Sequence, residues 1–166
     1  MKVKKIGHIA LRVADEERSK RFYCDVLGFR VSEEDPEHGG VFMTLGDDFH
    51  TVDLFPHPDA ASATKPAGSQ IGLAHMAFQV ASYPELKEVY CSLMAHGVAV
   101  TRAVDHVSQR SIYFADPDGN GLEVYYERPD ALKRWEGTGR GDDDAPLTLS
   151  QPGEPLPAWL DEAWPG

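Results

Sequence analysis

Two cysteines in 166 residues, Cys24 and Cys91, are too few to staple a small fold, so no disulfide framework is expected. Both lie within helical patterns and read as reduced thiols. Long apolar runs are also missing: no stretch approaches the ~18 apolar residues that a membrane span needs. The opening MKVKKIGHIALRV is interrupted by His8 and Arg12 and ends without a cleavage-like site, so it reads as a first strand and a cytoplasmic location is expected. Positive charge is scarce, with 16 Lys and Arg against 27 Asp and Glu and a net charge of −11. That balance disfavours nucleic acid and anionic membrane as partners, because phosphate contacts need clustered Lys and Arg. Its plain meaning is solubility.

What the chain does have is an apolar fraction of 42%, and its length suits one domain with a real core. It also repeats itself at an offset of 67 residues. Laid over AHMAFQVASYPELKEVYCSLMAHGV (74–98), GHIALRVADEERSKRFYCDVLGFRV (7–31) sets His8 on His75, Ala10 on Ala77, Val13 on Val80, Tyr23 on Tyr90 and Cys24 on Cys91. Each copy opens with an alternating strand. In the first, Ile9, Leu11 and Val13 oppose His8, Ala10 and Arg12; in the second, Met76, Phe78 and Val80 oppose His75, Ala77 and Gln79. A helix follows in each, from the Asp15 cap to Gly28 and from Ser82, with Pro84 in its first turn, to near Gly97. Three short strands then complete each copy, at 28–33, 40–46 and 50–56, and at 98–102, 110–115 and 121–127. The turn DPDGNG (116–121) is the strongest hairpin signal in the chain.

The expected fold is therefore α+β, two tandem βαβββ modules. Residues 1–129 form one domain: module one at about 1–57, a linker at 58–70 and module two at about 71–129. Residues 130–166, rich in Pro, Gly and Asp, read as an irregular tail that Trp159 and Trp164 pin to the surface or to a neighbouring subunit. The GTGRG stretch (137–141) neither follows a strand nor opens a helix, so it is not a nucleotide loop.

A lone histidine on a strand is usually structural. Two at repeat-equivalent positions, His8 and His75, are different, because they would face each other across a pseudo-twofold axis. Glu123, a carboxylate between Leu122 and Val124 in a strand expected to be buried, needs a partner there. Two imidazoles and a carboxylate make the facial triad of non-haem Fe(II) sites, which leaves coordination positions open.

GHIALRV, FYCDVLGF, LAHMAFQV and above all IYFADPDGNGLEVYYERP resemble the vicinal oxygen chelate superfamily of glyoxalases, extradiol dioxygenases, fosfomycin-resistance enzymes and bleomycin-binding proteins. The resemblance covers residues 5–129 and implies that the two modules form a curved mixed sheet around a metal cleft. Within the superfamily, FHTVDLFP (49–56) and DHVSQRSIYF (105–114) look like segments of the one-domain type I extradiol (catechol 2,3-) dioxygenases. The resemblance implies Fe(II), or alternatively Mn, Zn, Ni or Co, on His8, His75 and Glu123, with His50 as acid–base catalyst and His106 and Tyr113 bonded to the bound substrate. It further implies a small aromatic diol and O2 as substrates, aromatic compound degradation as the setting, and a homodimer or higher homo-oligomer. His38, His57 and His96 are left structural. One position departs from the pattern: Asp53 matches Glu123 at an offset of 70, where glyoxalase-like and epimerase-like members carry a fourth ligand. The alternatives are thus a metal-dependent isomerase, lyase or epimerase, or a non-catalytic small-molecule binding protein. Strand alternation sets His50 and Asp53 on opposite faces, so only one of them is expected in the pocket.

Overall fold

Alternation does its work at once in the first strand, β1 (Ile9–Val13), which buries Leu11 and Val13 and leaves Ala10 and Arg12 exposed in a computed structural model that describes residues 2–65, 71–134 and 144–164. Asp15 caps the helix that follows, α1 (Glu16–Arg21), its carboxylate accepting from the Arg18 N–H at 2.9 Å. The single helix expected as far as Gly28 changes character: Phe22–Val26 form a π-helical turn. The wider turn lets Phe22, Tyr23 and Val26 all reach the interior. Gly28, at φ 79°, supplies the left-handed residue that ends it, and Phe29 N–H returns to the Tyr23 carbonyl at 3.0 Å. Strands β2 (Arg30–Glu34), β3 (Val41–Thr44) and β4 (Val52–Pro56) complete a mixed sheet ordered β1-β4-β3-β2. Its first and last strands are parallel neighbours, with Ala10 opposite Asp53.

The second copy repeats the plan with β5 (Met76–Val80), α2 (Tyr83–Ala95), β6 (Arg102–Asp105), β7 (Gln109–Ala115) and β8 (Gly121–Glu127). Ser82 caps α2, and the helix buries Tyr83, Leu86, Tyr90 and Leu93. β6 begins at Arg102, later than the expected 98–102, because Val98 N–H is spent closing the helix end on the Leu93 carbonyl at 2.8 Å. In the DPDGNG turn the Asp116 carboxylate accepts from the N–H groups of Asp118 and Asn120 at 3.0 and 2.7 Å, with Gly119 at φ 76°. β5 and β8 are parallel, with Ala77 opposite Glu123, the same relation that Ala10 has to Asp53.

The chain thus divides into two compact units, Met1–Gly72 and Leu73–Gly166, each with its own open mixed sheet in an α+β fold. Residues 66–70 of the expected linker, and the stretch 135–143 that includes GTGRG, lie outside the described residues. After the short helix α3 (Ala131–Arg134), the chain adds a fifth strand to the second sheet: β9 (Ala145–Pro146) pairs with β6. Further on, a 3-10 turn at Ala158–Asp161 buries Trp159 and Leu160. Tyr83 Oη donates to the Trp159 carbonyl at 2.6 Å, Trp159 Nε1 donates to the Thr148 carbonyl at 2.9 Å, and Lys87 pairs with Asp161. Trp159 and Trp164 do different jobs: Trp159 fills the core, while Trp164 lies over the buried Arg110 guanidinium at 4.8 Å.

Candidate metal centre

In the first unit, His8 stands immediately before β1 and Asp53 lies on β4, 2% exposed. His8 Nε2 is 3.6 Å from Asp53 Oδ2, and His50 Nδ1 is 2.6 Å from Asp53 Oδ1. The rings of His8 and His50 stack at 4.4 Å. One donor atom from each of His8, His50 and Asp53 lies within 4.8 Å of the others. The expectation that alternation would part His50 from Asp53 fails for a local reason. β4 starts only at Val52, and Thr51 is engaged by its backbone on both sides: its N–H donates to the Met43 carbonyl and its carbonyl accepts from Ile9 N–H. His50 therefore precedes the pleat and folds back over Asp53.

The second unit holds the matching pair. His75 stands immediately before β5, and its Nε2 is 2.9 Å from Glu123 Oε2, with Glu123 5% exposed. Gly121 permits this approach, since a Cβ there would lie 2.7 Å from the Ala74 carbonyl oxygen and 3.3 Å from His75 Cβ. Gln109, which sequence reasoning did not single out, donates from Nε2 to Glu123 Oε1 at 3.4 Å. Tyr113 is directly opposite Glu123 across β7 and β8, its ring 5.7 Å from that of His75. Burial, and next the Glu123 carboxylate, push the Tyr113 hydroxyl above the usual phenol range, so it keeps its proton at neutral pH. His106 is buried at the end of β6, and its Nε2 is 3.1 Å from Tyr113 Oη.

Both carboxylates are buried, and among the described residues neither is paired with Lys or Arg; their polar neighbours are histidines, Gln109 and Tyr113. A buried carboxylate without a cation is costly. The donor set, imidazole nitrogens beside carboxylate oxygens, fits a divalent first-row metal. His8 belongs to one unit and His75 and Glu123 to the other. The remaining histidines make local contacts: His38 with Asp35, His57 with the Asp59 N–H and His96 with the Ser92 carbonyl. Cys24 and Cys91 are free thiols.

The family model for the Glyoxalase/Bleomycin resistance protein/Dioxygenase superfamily matches residues 5–124. A catechol-2,3-dioxygenase of Bacillus subtilis is 34% identical over 124 residues, a match covering 75% of this chain and 42% of the relative. The chain thus spans about two fifths of that enzyme's length. A metallothiol transferase, FosB, of Staphylococcus saprophyticus is 28% identical over 130 residues, covering 74% of this chain and 77% of that protein. Among solved structures, a glyoxylase/bleomycin resistance protein/dioxygenase domain from Frankia sp. EAN1pec shares the fold at a TM-score of 0.66 and 22% identity, covering 77% of this chain and 95% of the other.

Proposed function

The chain belongs to the glyoxalase/bleomycin resistance protein/dioxygenase superfamily, and from that premise we propose that it is an Fe(II)-dependent extradiol dioxygenase cleaving a catechol-like aromatic ring. One observation carries the metal reading: in each copy the histidine before the first strand meets a buried carboxylate at the same register on the last strand. On this reading His8, His75 and Glu123 hold the metal. Bound there, Fe(II) supplies the redox chemistry and the open positions at which a catecholate and O2 are brought together.

The remaining roles belong to side chains. His50 has its Nδ1 engaged by Asp53, which leaves Nε2 as the nitrogen that takes a proton from a substrate hydroxyl and returns it during ring opening. Tyr113, as a neutral phenol, holds a substrate oxygen by a hydrogen bond, and His106 acts on that oxygen through Tyr113. The product is a ring-opened semialdehyde acid. Support for this activity over its relatives comes from the identity to the catechol-2,3-dioxygenase and from the half-buried position of His50.

The test is reconstitution with Fe(II) without air, addition of a panel of catechols, then admission of O2. Yellow ring-fission product that depends on iron, vanishes in His8→Ala and falls in His50→Phe is the expected result. A tightly held metal with no oxygen uptake would sink the dioxygenase.

A second reading is favoured by Asp53, which occupies the position in copy one that Glu123 holds in copy two and lies beside His8. There the enzyme is a metal-dependent isomerase, lyase or epimerase with Asp53 as a fourth ligand. Asp53→Ala separates the two: it releases the metal if Asp53 is a ligand. If Asp53 serves His50, the metal stays and only turnover falls.

A further inference from the structure

β9 is two residues long, yet its register is informative. Val104 faces Pro146 and Asp105 faces Ala145, so the next antiparallel step sets His106 opposite Asp144. The side chains meet there: Asp144 Oδ2 is 2.8 Å from His106 Nδ1, off the line of a hydrogen bond, and that nitrogen is shut off from solvent. On the other side of the ring, Nε2 is 3.1 Å from the Tyr113 hydroxyl. His106 thus has a protein group beside each nitrogen, hydrogen-bonded at Nε2 and within ion-pair reach at Nδ1. Its ring joins a carboxylate from the C-terminal segment to the phenol beside Glu123.

The backbone around His106 is held just as firmly. Val107 adopts φ 68°, a left-handed conformation that strains a β-branched residue. Asp105 holds the turn, with Oδ1 accepting from the Val107 N–H at 2.8 Å and Oδ2 accepting from Arg110 Nε at 2.8 Å. The same guanidinium grips the end of the chain, donating from Nη1 to Tyr83 Oη and the Trp159 carbonyl and from Nη2 to Glu162 at 2.7 Å. One buried arginine thus ties the turn that carries His106 to the strap at residues 144–164. The strap lies beyond residues 5–124, the span matched by the family model.

We propose that Asp144 is a positioning residue, delivered by the C-terminal strap, that fixes the His106 proton on Nδ1 and so sets the hydrogen-bond sense of Tyr113. A carboxylate beside Nδ1 favours the tautomer protonated there. Nε2 is then an acceptor, the Tyr113 hydroxyl donates to it, and the phenol oxygen offers lone pairs to a substrate hydroxyl. Without Asp144 the Nε2–H tautomer turns the phenol round, so that its proton goes to Glu123 or to substrate instead. The use of Tyr113 toward substrate rests on the function proposed above; the Asp144–His106 link does not.

The test is long-range ¹H–¹⁵N NMR of the histidine rings in the full-length chain, at alkaline pH, with and without Zn(II). The His106 signal is assigned by its loss in His106→Gln. The wild type is expected to show the Nδ1–H form. Asp144→Ala, which removes a partly exposed side chain, is expected to lose it, and Asp144→Glu to restore it. A wild-type Nε2–H form, or a His106 spectrum unchanged in Asp144→Ala, overturns the proposal. Catechol turnover measured alongside keeps the two readings apart. A tautomer change with no ring cleavage by any protein removes the dioxygenase and leaves the strap, whereas ring cleavage with an unchanged tautomer does the reverse.

Discussion

Glu123 and Asp53 each sit out of water beside histidine, and that arrangement has a cost that a cation would offset. Metal bound only by the folded chain at a hundredfold excess over its Kd adds about 2.7 kcal/mol of stability. A chelator is therefore expected to lower the melting temperature of the wild type, and Glu123→Ala to melt at one temperature with or without chelator. Scanning calorimetry reads both. Cys24 gives a second expectation. Burial, then the neighbouring Asp25 carboxylate, push its thiol up, so at pH 7.5 the thiolate is a smaller fraction than in a free cysteine. Alkylation of native protein should leave Cys24 largely unmodified over a time in which the urea-unfolded chain reacts fully, as peptide mapping would reveal. The matched places of His8 and His75, each beside a buried carboxylate, were legible in the repeat, which makes coincidence costly. The His50–Asp53 bond was not. It depends on a strand that begins two residues later than its β-formers suggest, and that shift moves a side chain from one face to the other.

Helix starts were readable because a cap is a local event: Asp15 and Ser82 bond N–H groups three residues on, as their sequence positions predict. Ser82→Ala is expected to cost about 1 kcal/mol. Leu93→Ala on the buried face of the same helix is expected to cost about 2–5 kcal/mol through the cavity it opens. Urea titration at one temperature would rank them, and equal losses would contradict the packing described for α2. The π turn at Phe22–Val26 escaped prediction because it answers to packing, which no short-range pattern encodes. Asp144 escaped for a related reason. It is one of three aspartates in a polar run, and only pairing with a strand some forty residues earlier gives it a neighbour.

Across the described residues no helix is long and apolar enough to cross a membrane. The end of the chain belongs to the second unit, where Trp159 is buried against Tyr90 and hydrogen-bonded through its ring nitrogen. Trp159→Ala should cost about 3–5 kcal/mol, with the loss read as earlier urea unfolding; a loss below 1 kcal/mol would mean that the strap is laid on the surface. Each sheet, moreover, pairs its first strand with its last, Ile9 with Val52 and Met76 with Leu122. During synthesis β1 must therefore wait for β4, and β5 for β8, before either sheet can close. The first unit has all its strands before the second has begun, and residues 144–164 follow every other strand of the second. A nascent chain will thus bring His75 to Glu123 while His106 still lacks its carboxylate: the surroundings of His106 are completed last, after an interval set by the ribosome.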